Sequence, residues 1–196
     1  MPSERLKLRV MLVDDEAERT KMLEQALGDQ GHSVVARLDT QADLSAAVVH
    51  FRPEIIFIEL DAPGREFLDS LGQLHRQQPR PIVLFAARSD AETTRRAVQA
   101  GVSVYVVDGL NPARVHGLLD LAIARFEMHQ GLQRELDHAR TRLADQRDIE
   151  KAKGVLMKRR GLDESAAYEL LRKMAMDRKQ RIGDFSRVLL TAADVL

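Results

Sequence analysis

Over its first 110 residues the chain alternates short apolar, β-rich runs with helical stretches, and this alternation limits the possible folds more than any other feature. The apolar runs are Arg9–Val13, His32–Arg37, Glu54–Ile58, Pro81–Ala86 and Val102–Val107. Helical periodicity fills the intervals: Arg19 to Asp29 (closed by Gly31), Gln41 to His50, Arg65 to Gln77 and Ala91 to Ala100. Five buried-type strands alternating with helices predict an α/β domain built on a parallel sheet covered on both faces. Sites in such sheets lie at the carboxyl ends of the strands, which directs attention to Asp14, Asp15, Glu59, Ala86 and Asp108.

A second pattern begins at Pro112. Asn111 is placed to cap a helix whose first position is Pro112, and helical character then continues to about Arg160. Leu132, Leu136, Ala139 and Leu143 recur at spacings of four, three and four, a coiled-coil seam of about two heptads. Two readings fit the seam: a stalk that pairs two chains, and a helix packed on its own domain. Gly161 is the C′ residue that closes this helix, Asp163 caps another running to about Asp177, and a third spans roughly Ile182 to Val195. The expected domains are residues 1–127, a helical coiled-coil linker over 128–147, and a small three-helix domain over 136–196.

Charge follows the same division. The chain holds 30 Lys/Arg and 30 Asp/Glu, but residues 151–196 carry 11 basic against 6 acidic residues, leaving 19 against 24 in residues 1–150. A basic module behind an acidic one fits either a polyanion partner or ordinary charged helix surfaces. Hydrophobic residues make up 44%, enough for packed cores, and aromatics only 4%, so those cores are aliphatic. There is no cysteine, which removes disulfides, thiolate metal sites and a cysteine nucleophile, and fits a reducing cytosol. No apolar run approaches the roughly 18–20 residues of a membrane span, and Met1–Val10 lacks the apolar core of a signal peptide. A cytoplasmic location is expected.

Residues 8–127 resemble the receiver (flavodoxin-like) domains of response regulators. The resemblance rests on Val13-Asp14-Asp15-Glu16, on Pro53 through Glu59, and on Gly101 through Asp108. It implies two metal-binding acids, a phosphoacceptor aspartate after the third strand, a hydroxyl after the fourth and a lysine after the fifth. Here Asp14 and Asp15 match the metal-binding acids, but the other positions hold Glu59, Ala86 and Asp108. Glutamate moves the carboxylate out by a methylene, Ala86 donates nothing, and Asp108 repels a phosphoryl group. A pseudo-receiver not switched by phosphorylation is expected. Glu59 reads as a mimic of phospho-aspartate or as a residue of a decayed pocket, and Asp61 is an acceptor only after a register shift. Crowded acids repel unless protonated or metal-bound, so residual Mg²⁺ at Asp14, Asp15 and Glu59 and a purely structural cluster both stand. No cofactor is required.

Residues 136–196 resemble the ANTAR domain, the RNA-binding antitermination module of the AmiR/NasT regulators. The motif runs from Ile149-Glu-Lys-Ala-Lys-Gly-Val-Leu-Met-Lys158 through Gly161 to Tyr168 and Leu170 to Asp177, and closes with Arg181-Ile182 and Val188-Leu-Leu190. In the front half, Glu59 to Arg65, Pro81 to Ala86 and Val104 to Leu110 are similar to the NasT branch. That resemblance implies RNA stem-loops in leader transcripts as targets, nitrate or nitrite assimilation genes, and an inhibitory ligand-sensing partner protein (NasS-like). Helical spacing assigns Ile149, Ala152, Val155 and Leu156 to one packing stripe, Leu170, Leu171, Met174 and Ala175 to the next, and Val188, Leu189 and Ala192 to the third. The basic residues left outside are Lys151, Lys153, Lys158, Arg159, Arg160, Arg172, Lys173, Arg178, Lys179 and Arg181, with Gly154 letting a helix or RNA backbone come close. Tyr168 either stacks on a base or is half-buried core. Three basic helices behind a receiver also fit a DNA-binding helix-turn-helix regulator, and a protein-only scaffold is a further alternative. Six scattered histidines form no ligand pair and no nucleophile triad or P-loop is present, so enzymatic chemistry is not expected.

Overall fold

The computed structural model describes residues 7–107 and 114–194. Asp108, Leu110, Asn111, Pro112 and Val195, each used above, lie outside the described residues. The chain divides into two compact units, residues 1–129 and 130–196.

The first unit holds β1 (Arg9–Val13), β2 (Ser33–Leu38), β3 (Ile55–Leu60), β4 (Ile82–Ala86) and β5 (Val104–Val107). They form one parallel sheet in the order β2-β1-β3-β4-β5. Between them run α1 (Ala17–Gly28), α2 (Leu44–Phe51), α3 (Arg65–Gln77) and α4 (Ala91–Gln99), and α5 (Val115–Arg160) follows. Alternate strand residues feed opposite faces. Met11, Val13, Ile56, Ile58, Ile82 and Leu84 pack with Leu44 and Val48 of α2, Leu68 and Leu71 of α3 and Ala97 of α4. Val10, Leu12, Ile55, Phe57, Val83 and Phe85 pack with Leu23 and Leu27 of α1 and Val115 and Leu119 of α5. Fully burying each such side chain contributes about 1.5–3 kcal/mol, so the sheet is the main source of stability in this unit.

Strand and helix limits follow local chemistry. Helix α2 starts at Leu44 rather than Gln41 because the Asp43 carboxylate accepts the Ala46 amide at 3.0 Å and sets the N-cap there. Strand β5 starts at Val104 rather than Val102 because the Val102 amide is still bonded to Ala97 O at the end of α4. The strand order reverses at β1, whose register runs Val10↔Ile55 to Val13↔Ile58 against β3. Asp14 and Glu59, one residue further along each strand, therefore stand together at the switch point.

In the second unit, α5 continues unbroken to Arg160 and is followed by α6 (Glu164–Asp177) and α7 (Ile182–Asp194). Gly161 turns the chain at φ 67°, a left-handed conformation that costs other residues strain, and its amide bonds Met157 O at 3.0 Å. Asp163 caps α6 through the Ala166 amide at 2.8 Å. The enclosed core is Ala152 and Leu156 of α5, Ala167, Leu171 and Ala175 of α6 and Phe185 of α7, with Ile149, Leu170, Met174 and Leu189 packed around it. The third apolar stripe differs from the expected one. Val188 and Ala192 are exposed, and Ile182, Phe185 and Leu189 face inward, because the bulky Phe185 ring occupies the core center. Among the described residues no helix is long and apolar enough to cross a membrane.

Candidate nucleic-acid interface and acidic pocket

The acids at the switch point do not form an open cluster. The Arg19 side chain reaches back from the first turn of α1 and lies among them. Its Nη2 donates to Asp14 Oδ1 at 2.8 Å and its Nε to Asp14 Oδ2 at 3.3 Å. Nη1 stands 2.9 Å from Glu16 Oε2, and Nε stands 3.4 Å from Glu59 Oε1. Asp14 hydrogen bonding raises the guanidinium pKa further above its ordinary value, with burial opposing and Glu59, Asp14 and Glu16 charges adding to it. Asp15 points elsewhere: its carboxylate accepts the Thr40 amide at 2.9 Å and the Thr40 hydroxyl at 2.7 Å. Those two bonds, amide first, hold the Asp15 carboxyl below the usual carboxylate range.

Glu59 and Ala86 are both buried, and the strand register pairs Glu59 with Phe85 and Leu60 with Ala86. That register carries no shift, so Asp61 lies past the end of β3, exposed. Beneath Asp14 and Glu59 the sheet and α1 leave only a gap of about 10 Å³, lined mainly by Leu12, Leu23, Phe57 and Phe85. Among the described residues no group of three or more His, Asp or Glu side chains is placed to hold a metal ion. Mg²⁺ needs a near-octahedral shell of oxygens, yet the Asp14 and Glu59 oxygens face the Arg19 guanidinium and the Asp15 carboxylate is bonded to Thr40. The residues present do not fit the metal.

The second candidate site is the outer surface of the three-helix unit. Lys151, Lys158, Arg159, Arg160, Lys173 and Lys179 are exposed. Arg172 is exposed beside Glu169 at 3.8 Å, and Arg178 lies with its guanidinium 5.0 Å from the Phe185 ring centroid. Arg159 donates to Ala193 O at 2.9 Å and Arg181 to Asp145 at 3.0 Å, which fixes both against neighboring helices. Tyr168 is largely exposed on α6.

Lys153 corrects the sequence reading. Its side chain is only 9% exposed, because the ammonium donates to Glu150 at 2.8 Å and to Glu164 at 2.7 Å, tying α5 to the start of α6. Hydrogen bonds to Glu150 and then Glu164 raise its pKa, and Lys153 in turn lowers that of Glu164. Nor does a neighboring helix approach Gly154, where an added Cβ meets nothing within 4 Å. Gly154 instead lies open on α5 in a stripe with Lys151 and Lys158, spaced three and four residues away.

Residues 10–120 match the family described as the response regulator receiver domain, and residues 137–190 match the ANTAR domain. The chain belongs to the ANTAR response regulators. This response regulator is 27% identical over 183 residues to the transcriptional regulatory protein PdtaR of Mycobacterium tuberculosis, covering 93% of this chain and 89% of that one. It is 42% identical over 73 residues to the nitrate regulatory protein of Klebsiella oxytoca, which is 36% of this chain and 18% of that protein. A diguanylate cyclase receiver domain from Desulfovibrio desulfuricans G20 superposes with a TM-score of 0.54 at 18% identity, covering 63% of this chain and 98% of that one. At that identity the likeness is one of fold.

Two residues of the response regulator escaped the sequence reading. Arg19 fills the acidic pocket, and Arg187 joins α7 to α5 by meeting Asp145 at 2.6 Å and Asp148 at 3.1 Å. The spacing of Arg19 five residues after Asp14 was a weak signal, and that of Arg187, 42 and 39 residues from its partners, gave none.

Proposed function

We propose that this response regulator binds paired RNA hairpins in leader transcripts through its ANTAR domain and lets polymerase read through a terminator. The observation that carries the reading is the ANTAR match over residues 137–190, which falls on a helical unit with an exposed basic surface. The contacts we assign to RNA are Lys151, Gly154, Lys158, Arg159, Arg160, Arg172, Lys173, Arg178, Lys179 and Arg181. Lys/Arg side chains with few aromatics suit phosphate contacts around a hairpin more than extensive base stacking. Gly154 within its basic stripe leaves room for a sugar-phosphate backbone, and Tyr168 offers one ring to a loop base.

Pairing of two chains would present two such surfaces. Leu132 and Leu143 are each 59% exposed, and Leu136 also faces solvent, so the seam is open for a second copy of α5. Two linked modules gain affinity for two hairpins through effective concentration without any new contact. We extend the reading to nitrate or nitrite assimilation genes on the strength of the Klebsiella oxytoca relative, and place the protein in the cytoplasm, where transcripts are made. The reading includes control by a ligand-sensing inhibitory protein rather than by aspartyl phosphorylation, and a pocket with Glu59 and Ala86 in place of acceptor and hydroxyl supports the second half of it.

The test is binding to a transcript carrying two tandem hairpins against duplex DNA of equal charge, across a salt series. Hairpin-selective binding that weakens with salt is the expected result. Equal or stronger binding to DNA replaces the reading with a DNA-binding regulator, and binding to neither, by protein free of partners, replaces it with a protein-only scaffold.

A further inference from the structure

We propose that Arg19 is a built-in counter-ion that closes the acidic pocket to divalent cations, making the receiver half independent of Mg²⁺. The proposal stands on the pocket alone and holds whatever the basic surface binds. Three carboxylates, Asp14, Glu16 and Glu59, surround the one guanidinium, at 2.8, 2.9 and 3.4 Å. The contact with Asp14 is two-pronged, using both carboxylate oxygens, the geometry in which Arg binds a carboxylate best. Asp14 Oδ1 also accepts the Glu16 amide at 2.9 Å.

A metal ion entering between Asp14 and Glu59 must displace this guanidinium. The fourth acid, Asp15, is committed to Thr40 through both oxygens and would have to abandon those bonds to become a ligand. Arg19 thus relieves the mutual repulsion of the acids from inside the chain, by a cation that cannot dissociate and cannot lose its proton in the working pH range. The same side chain ties the first turn of α1 to the ends of β1 and β3, so this end of the sheet is held in one arrangement without a ligand.

The experiment is a Mn²⁺ titration of the full chain, read by calorimetry and by the electron paramagnetic resonance of free Mn²⁺, with Arg19→Gln beside the parent. The parent is expected to show no saturable binding and no rise in melting temperature when Mg²⁺ replaces NaCl at equal ionic strength. Arg19→Gln, which leaves the acids without their cation, is expected to gain a saturable Mn²⁺ site and a Mg²⁺-dependent rise in melting temperature. If that variant does not fold alone, Mg²⁺ is expected to restore its folding, since an ion that binds only the folded state stabilizes it. Saturable Mn²⁺ binding by the parent overturns the proposal. So does an Arg19→Gln chain that neither binds Mn²⁺ nor is stabilized by Mg²⁺.

Discussion

Arg187 and Gly183 together set how α7 meets α5. Arg187 holds Asp145 and Asp148, and Asp184 lies 3.4 Å from the same guanidinium. Gly183, one residue into α7, sits so close to Asp145 that an added Cβ would overlap its carboxyl group. Asp145 is buried there, beside the N-terminal turn of α7, where a negative charge is favored by the helix dipole. Glycine in a helix ordinarily costs about 1 kcal/mol against alanine, so Gly183→Ala should stabilize a free helix. Here the clash should win, destabilizing the protein by about 1–3 kcal/mol as overpacking does. The effect should shrink or reverse in an Asp145→Ala background, and denaturant unfolding of the four chains of that cycle measures it. Additive effects would mean that the two residues do not share the contact. None of this was legible in the sequence, because Gly183 and Asp145 are 38 positions apart and neither carries a local signal of its partner. The switch-point acids were legible by their places at strand ends. Arg19 was not, because a side chain that folds back over its own helix start looks in sequence like any exposed arginine.

Helix α5 changes role along its length. Val115, Leu119 and Ala122 belong to the core of the first unit, Leu132, Leu136 and Leu143 are exposed, and Ile149, Ala152 and Leu156 belong to the core of the second. This succession was legible in outline, since no glycine-proline stop interrupts the helical pattern and Gly161 and Asp163 mark its end and the next cap. The fate of individual charges was not. Lys151, Lys153 and Lys158 look equivalent as basic residues, yet Lys153 turns inward to Glu150 and Glu164 while the other two face solvent. The difference predicts separable behavior. Lys158→Ala should fold with an unchanged melting temperature, weaken hairpin binding, and reduce the slope of log affinity against log salt by about 1. Lys153→Ala should lower the melting temperature through the lost tie between α5 and α6, and leave that slope unchanged. Thermal melts and salt-dependent binding isotherms on both variants check this, and a shallower slope for Lys153→Ala would return that residue to the RNA surface.

At the scale of the whole molecule, the receiver match over residues 10–120 lies within the acidic first 150 residues, and most of the ANTAR match over 137–190 lies in the basic remainder. A receiver ordinarily reports to its output domain through an acid at the end of its third strand. In this chain that position is Glu59, buried beside Arg19, with Ala86 supplying no hydroxyl next to it. Asp61 offers the other carboxylate, but the unshifted pairing of β3 with β4 leaves it outside the pocket. Among the described residues a phosphoryl donor thus meets a buried Glu59 at the acceptor position and Ala86 at the hydroxyl position, which is why we propose control by other means. Incubation with acetyl phosphate and Mg²⁺ should leave the intact mass unchanged and the hairpin affinity unaltered. A stable adduct mapped to Glu59 or Asp61, accompanied by a change in RNA binding, would restore phosphorylation as the switch. With no adduct, the proposed control by a partner protein stands, and the acid pocket is then read as a structural joint between β1, β3 and α1.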